Sequence, residues 1–169
     1  MIKIYSLLFV VFIASLDAKE LVSFLKSIQN NHTLHMKYLQ QPFVCKPYGV
    51  ETLSELVVRT DTNSSCKQSL NAFRQDNPDE QYFAVSFLKI EQQYSVESIQ
   101  GQCLLHLSSE HSYSEALLEQ GYALVSSAMK KDDRVLEYRF KKALMRAKNT
   151  KAGIWSDAKV RDCFLLSDK

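Results

Sequence analysis

From residue 19 onward the apolar residues Leu21, Val22, Phe24, Leu25 and Ile28 fall at helical spacing, which predicts an amphipathic helix ended by Asn30-Asn31. Between His32 and Gly49 the pattern breaks into short extended pieces around Met36, Tyr38, Phe43 and Val44, punctuated by Pro42, Pro47 and Gly49. Residues 51–58 fit a short helix or strand, 60–65 a polar loop, and 66–73 a short helix. Tyr82 to Ile90 is aromatic and β-branched behind Asp76-Asn77-Pro78-Asp79, which predicts a strand, and Gln102 to Leu107 predicts another. Ser112-Tyr-Ser-Glu115 has the form of a capping box opening a helix through Leu118, with Gly121 placed for a left-handed cap. Asp132-Asp133 place negative charge at the start of a long final helix whose apolar positions run from Val135 to Ala147, with Gly153 to end it.

Before this pattern begins, Lys3 precedes an apolar run from Ile4 to Leu16 and then Asp17-Ala18, the layout of a secretory leader cleaved after Ala18. Such a run is shorter than the ~20 residues of a spanning helix. Export changes the meaning of the four cysteines, Cys45, Cys66, Cys103 and Cys163: an even number with no CxxC pair favours two disulfides over metal ligation. Three pairings exist. Cys45 with Cys66, flanking one loop, and Cys103 with Cys163 are expected. The chain of 169 residues, 46% apolar and 24% charged, suits one packed domain, residues 19–169. Its net charge of +2 carries no general argument for nucleic acid or membrane.

Ser114-Glu-Ala-Leu-Leu-Glu-Gln-Gly-Tyr-Ala-Leu-Val125, followed by Tyr138, Ala143, Ala147 and the run Lys151-Ala-Gly-Ile-Trp-Ser156, resembles the carboxy-terminal half of the staphylococcal nuclease-like (thermonuclease) family. The strand expected at 82–90 and Gly101-Gln102 before Cys103-Leu-Leu105 fit that family's fourth and fifth strands, so the resemblance covers about residues 66–157. It implies an α+β fold: a small OB-fold-like β-barrel, closed by carboxy-terminal helices, with the helix at 21–28 as an addition. The first three strands are then expected within residues 33–60.

The resemblance also implies a calcium-dependent phosphodiesterase in which carboxylates hold the ion, a Glu helps to activate water and two Arg clamp the phosphate. On the run Lys46-Pro-Tyr-Gly-Val50-Glu51-Thr52-Leu53-Ser54-Glu55, Lys46 stands at the Arg position, Glu51 at the Asp position and Ser54 at the Glu position. Gln102 stands where the second Arg would follow Gly101. A neutral amide supplies no charged bidentate clamp, so no catalytic residue, metal or other cofactor is expected. Glu55 and Arg59, with Glu51, are the fallback groups of an active secreted enzyme, which alone would call for calcium.

Other chemistry is scattered. His32 and His35 have i, i+3 spacing without a nearby carboxylate or Cys, and Asn31-His-Thr33 and Asn63-Ser-Ser65 match the glycosylation sequon. From Lys130 to Lys151 nine basic residues face three acidic ones, making Lys131, Arg134, Lys141, Lys142 and Arg146 candidate phosphate contacts, or else the solvated face of a closing helix. Phe43, Tyr48, Tyr82 and Phe83 are candidates for stacking bases, or for core. The sequence therefore leads to an exported, catalytically inactive nuclease-like domain, periplasmic or secreted, that serves as a protein-binding or structural module of the cell envelope. The helix at 21–28 and the loop at 45–66 are its expected interface. The alternatives are an active calcium-dependent nuclease and a nucleic-acid-binding module.

Overall fold

The computed structural model describes residues 20–60, 64–129 and 133–165, so the expected leader, Asn63 of the second sequon and Lys131 lie outside it. In place of the helix expected at 21–28 there is a strand, β1 (Leu21–Asn30), paired antiparallel with β2 (Thr33–Tyr38), which pairs in turn with β3 (Gln41–Cys45). The helical spacing has a definite cause. A bulge between Leu25 and Ser27 inserts one residue into β1, so that Leu25, opposite Met36, and Ile28, opposite Leu34, both face the core three positions apart. Three strands are thus complete by Cys45, earlier than expected.

After β3 come β4 (Val50–Thr52), α1 (Leu53–Arg59), α2 (Ser65–Asp76) and α3 (Pro78–Phe87). The helix expected at 66–73 is present within α2. The strand expected at 82–90 is instead mostly α3. Asn77 at the cap, Pro78 in the first turn, and Asp79 and Glu80 beside it are helix-start signals, and they override the aromatic composition. The strand that follows lies downstream: β5 (Gln93–Ile99) turns through Gln100 and Gly101 into β6 (Gln102–Ser108), with Tyr94 and Val96 buried. The β6 assignment agrees with the sequence. A two-residue strand, β7 (His111–Ser112), completes an antiparallel sheet in the order β3-β2-β1-β5-β6-β7.

Ser112 and Glu115 form the expected capping box of α4 (Tyr113–Glu119), and β8 (Ala123–Val125) pairs with β4 as a separate ribbon. The final long helix α5 (Arg134–Thr150) is capped by the Asp133 side chain, which accepts from Leu136 N–H. Lys151, in the left-handed region, rather than Gly153, caps its other end. Gly121 forms the expected left-handed cap after α4, with a φ of +66° and its N–H donating to Leu118 C=O, and it also makes a backbone crossing with Gly153. A Cβ on Gly121 would stand 2.2 Å from the Ala152 carbonyl oxygen, and one on Gly153 would stand 2.4 Å from that of Gln120. Ile154 N–H donates to Gly121 C=O across this contact at 3.2 Å, and Ile154 and Trp155 fill a second apolar cluster with Leu53, Leu56, Leu70 and Phe73. A last helix, α6 (Ala158–Leu165), lies against α2.

Both disulfides expected from the cysteine count are formed, with the pairing reversed. Cys45 joins Cys103 and Cys66 joins Cys163, at Cα separations of 5.3 and 5.6 Å. Residues 46–48 explain why Cys45 turns away from Cys66. They leave β3 and run beside β6, where Lys46 C=O accepts from Cys103 N–H and Tyr48 N–H donates to Cys103 C=O, both at 2.8 Å. The chain entering β4 is thereby stitched to the sheet at the one residue that also carries the bridge.

Candidate functional site

The residues at the places where the resemblance puts catalytic groups lie on the segment that crosses from β3 through β4 into α1, and on the first residue of β6. Lys46 is exposed, and Ser54 is half-buried in the first turn of α1. Gln102 is turned back on the protein, its Oε1 lying 3.5 Å from Gly49 N–H. Gly49 can be nothing larger: it has a φ of +72°, and a Cβ there would stand 2.6 Å from the Phe140 ring.

Glu51 and Arg59 are brought together. The Arg59 guanidinium forks onto both Glu51 oxygens, at 3.0 and 3.3 Å, and Ser126 Oγ donates to the same carboxylate at 3.4 Å. Glu55, the other fallback carboxylate, folds back on its own helix and accepts from the Thr52 N–H and hydroxyl, each at 2.9 Å. This donor set does not suit the calcium ion that the resemblance implies. Calcium takes six to eight oxygens, commonly from several carboxylates. Here one carboxylate is covered by a guanidinium and the next serves a helix cap. Among the described residues no three His, Cys, Asp or Glu side chains gather into a metal-binding group.

Beside the Glu51–Arg59 pair lies a cleft of about 290 Å³ whose wall includes Leu124, Ser127, Lys148 and Trp155. Lys148 Nζ sits 4.7 Å from the centre of the Trp155 ring, a cation–π contact, and the buried Trp155 Nε1 has no hydrogen-bond partner among the described residues.

The basic residues of α5 are largely committed to neighbours. Arg139 holds Glu115 through two hydrogen bonds of 2.9 and 2.5 Å, Arg146 pairs with Glu119 at 2.7 Å, and Lys141 pairs with Glu137 at 2.6 Å. Arg134 and Lys142 are exposed. Burial alone would raise the Glu115 carboxyl, yet hydrogen bonds from Arg139 and Ser112 outweigh it and hold the group below the ordinary carboxylate range. Of this stripe, Arg139 and Arg146 brace α5 against α4.

The aromatic candidates share no exposed face. Tyr48 is buried, Phe43 and Phe83 pack against the core, and Tyr82 alone is largely exposed. His32 lies in the turn before β2 and His35 on the strand itself, so the helical spacing does not exist. His106 lies 3.9 Å from Glu97 and His111 lies 3.6 Å from Glu119.

One heavily constrained polar group entered the sequence reading only as a sequon. Asn31, in the turn between β1 and β2, is 3% exposed. Its Oδ1 accepts from Ala84 N–H at 2.9 Å, its Nδ2 donates to the Glu80 carbonyl, and its own carbonyl accepts from Tyr113 Oη at 3.1 Å. Glu80 is fully buried and takes Arg74 Nε at 3.1 Å. Desolvation raises the Glu80 carboxyl against the opposing effect of Arg74 and Asn31, and burial together with Glu80 raises the Tyr113 phenol. These groups fasten α3 to the sheet, and the sequon at Asn31 is closed to modification in the folded chain. The only sequence signal is an Asn-Asn turn paired with two acidic residues in a helix's first turn, which says nothing of their distance in space. No family model matches this chain, and no curated protein matches it in sequence.

Proposed function

We propose that this chain is a nuclease-like domain of the OB type that has lost phosphodiesterase chemistry, is exported, and binds another protein at the cell envelope. The observation that carries the proposal is the state of Glu51: the carboxylate standing where the resemblance calls for a metal ligand is forked by Arg59, with Lys46 and Gln102 in place of the two arginines. Catalysis of phosphodiester cleavage needs fixed charge at the phosphorus and a ligated hard cation or an equivalent, and among the described residues Glu51 and Glu55 are engaged by Arg59 and Thr52 instead.

Several features support the fold side of the proposal. The six-stranded sheet is not closed, but the strand order β3-β2-β1-β5-β6, with residues 46–48 returning in parallel to Cys103, supports reading it as an opened relative of a five-stranded barrel. The helices α1 to α3 fall between its third and fourth strands, and α4 and α5 follow its fifth. Two disulfides are compatible with an oxidising compartment, and among the described residues no helix is long and apolar enough to cross a membrane.

The test is cleavage of single- and double-stranded DNA by the oxidised protein with calcium, an EDTA control and an active thermonuclease alongside. Intact substrate is the expected result. Calcium-dependent cleavage that co-purifies with the protein and is lost in Glu51→Gln would overturn the proposal and make the 46–59 segment a rebuilt active site.

A further inference from the structure

β3 and β6 are pinned at the Cys45–Cys103 bridge and by residues 46–48, and beyond the pin no pairing joins them. A cleft of about 300 Å³ opens there between β3 and the β5–β6 turn. Leu21, Phe43 and Val96 give it apolar walls, Ser98 and Gln102 contribute neutral polar groups, and no charged side chain among the described residues lines it.

The backbone along one side of this cleft is available for pairing. Tyr38 and Gln41 close a two-residue turn, so they and every second pair after them exchange hydrogen bonds between β2 and β3. The intervening residues, Pro42 and Val44, turn their main-chain groups to the opposite edge. Lys46 continues this parity, since its C=O faces outward to Cys103 N–H. The free edge therefore offers Pro42 C=O and both main-chain groups of Val44. On the outer face Val44 is 49% exposed, and two positions on Lys46 is exposed and pairs with no carboxylate among the described residues.

We propose that this edge receives an extended segment of a partner protein, added as a strand beside β3, with apolar side chains turned into the cleft and acidic ones turned outward to Lys46. It presupposes the protein-binding role proposed above and gives that role a surface. Main-chain pairing supplies affinity in strand addition, while pockets for alternate side chains supply selectivity. Charge decides between occupants. A nucleic acid would carry phosphates past a cleft that no charged side chain of the described residues lines, and β3 of a second copy, Gln41–Cys45, holds no acidic residue to meet Lys46.

The oxidised protein is titrated into fluorescein-labelled decapeptides: alternating Val–Glu, the same composition in two blocks, and alternating Val–Lys, with an oligo(dT) probe alongside. The alternating Val–Glu peptide is expected to bind best. Val44→Pro, which removes the edge N–H, weakens it at least about tenfold with the thermal midpoint held, and Lys46→Glu transfers the preference to the Val–Lys peptide. The charge exchange decides the matter if Val44→Pro fails to fold. Failure of every peptide, indifference to both substitutions, preference for oligo(dT), or a concentration-dependent dimer that Val44→Pro abolishes would each overturn the proposal. Peptide failure together with absent nuclease activity removes the edge alone, whereas calcium-dependent cleavage removes the role on which it stands.

Discussion

Arg59 forks onto Glu51 from eight residues further along the chain, its two terminal nitrogens 3.0 and 3.3 Å from the two carboxylate oxygens. The pair bridges β4 and the end of α1, and it occupies the carboxylate that a metal would need. Arg59→Ala frees the carboxylate without supplying the further ligands a hard cation needs. Isothermal titration should detect no calcium binding, and cleavage should stay at background. Because the guanidinium is largely exposed, the stability loss should stay below about 1 kcal/mol.

The bridges Cys45–Cys103 and Cys66–Cys163 span 58 and 97 residues. Non-reducing peptide mapping should recover these two pairs and no peptide joining Cys45 to Cys66. Loop-closure entropy sets the contribution of each at about 4–5 kcal/mol in the chain-entropy model. Replacing both members of either pair by Ser should therefore shift a denaturant midpoint strongly. Hydrogen exchange should rise in α6 for the second pair and in the 46–48 segment for the first.

Glu80 and Arg74 make a pH-dependent couple. The Glu80 carboxyl titrates above its unfolded value, so the folded state holds that proton more tightly. Its contribution to stability is fullest below the unfolded value and is lost as pH rises through the raised one. Arg74→Met should cost about 3–5 kcal/mol at pH 7 by leaving a buried carboxylate unpaired, and much of the loss should return on acidification. In an Arg74→Met, Glu80→Gln double variant that pH dependence should disappear. Urea midpoints from pH 7 down to pH 5 check the sign. Glu115 behaves oppositely, since its lowered carboxyl gives stability that is lost as pH falls through the folded value.

Glycines separate strain from collision. Gly101 has a φ of +76° with open space where a Cβ would stand, so Gly101→Ala should cost only about 1–2 kcal/mol from the left-handed backbone. Gly153→Ala adds a contact of 2.4 Å with a backbone oxygen and should cost clearly more, with loss of the Ile154 hydrogen bond to Gly121. Thermal melts of the two variants side by side read the difference.

The last third of the chain was readable because its signals are local: a capping box, an acidic cap and glycines at a turn and a crossing. The opening was misread because the bulge in β1 gives a strand the three-residue spacing of a helix, at Leu25 and Ile28. At α3 the misreading ran the other way. Asn77-Pro78-Asp79 serves equally as a turn before a strand or the first turn of a helix, and the aromatic run beyond it favoured the strand. The Glu51–Arg59 contact was within reach of the sequence, since both residues were singled out, but their approach depends on a change from strand to helix at Leu53. The Asn31–Glu80 contact spans 49 residues and leaves no periodic trace.

The two bridges overlap, Cys66 lying inside the ring closed by Cys45 and Cys103, and Cys103 inside the ring closed by Cys66 and Cys163. One peptide bond broken anywhere between Cys45 and Cys163 consequently releases nothing: the two fragments stay in one covalent molecule. Within that stretch a protease must cut at least twice to detach a piece. Nicked protein should thus migrate whole until a thiol is added, and a cut in the α1–α2 connection still leaves both flanking helices tethered to the sheet.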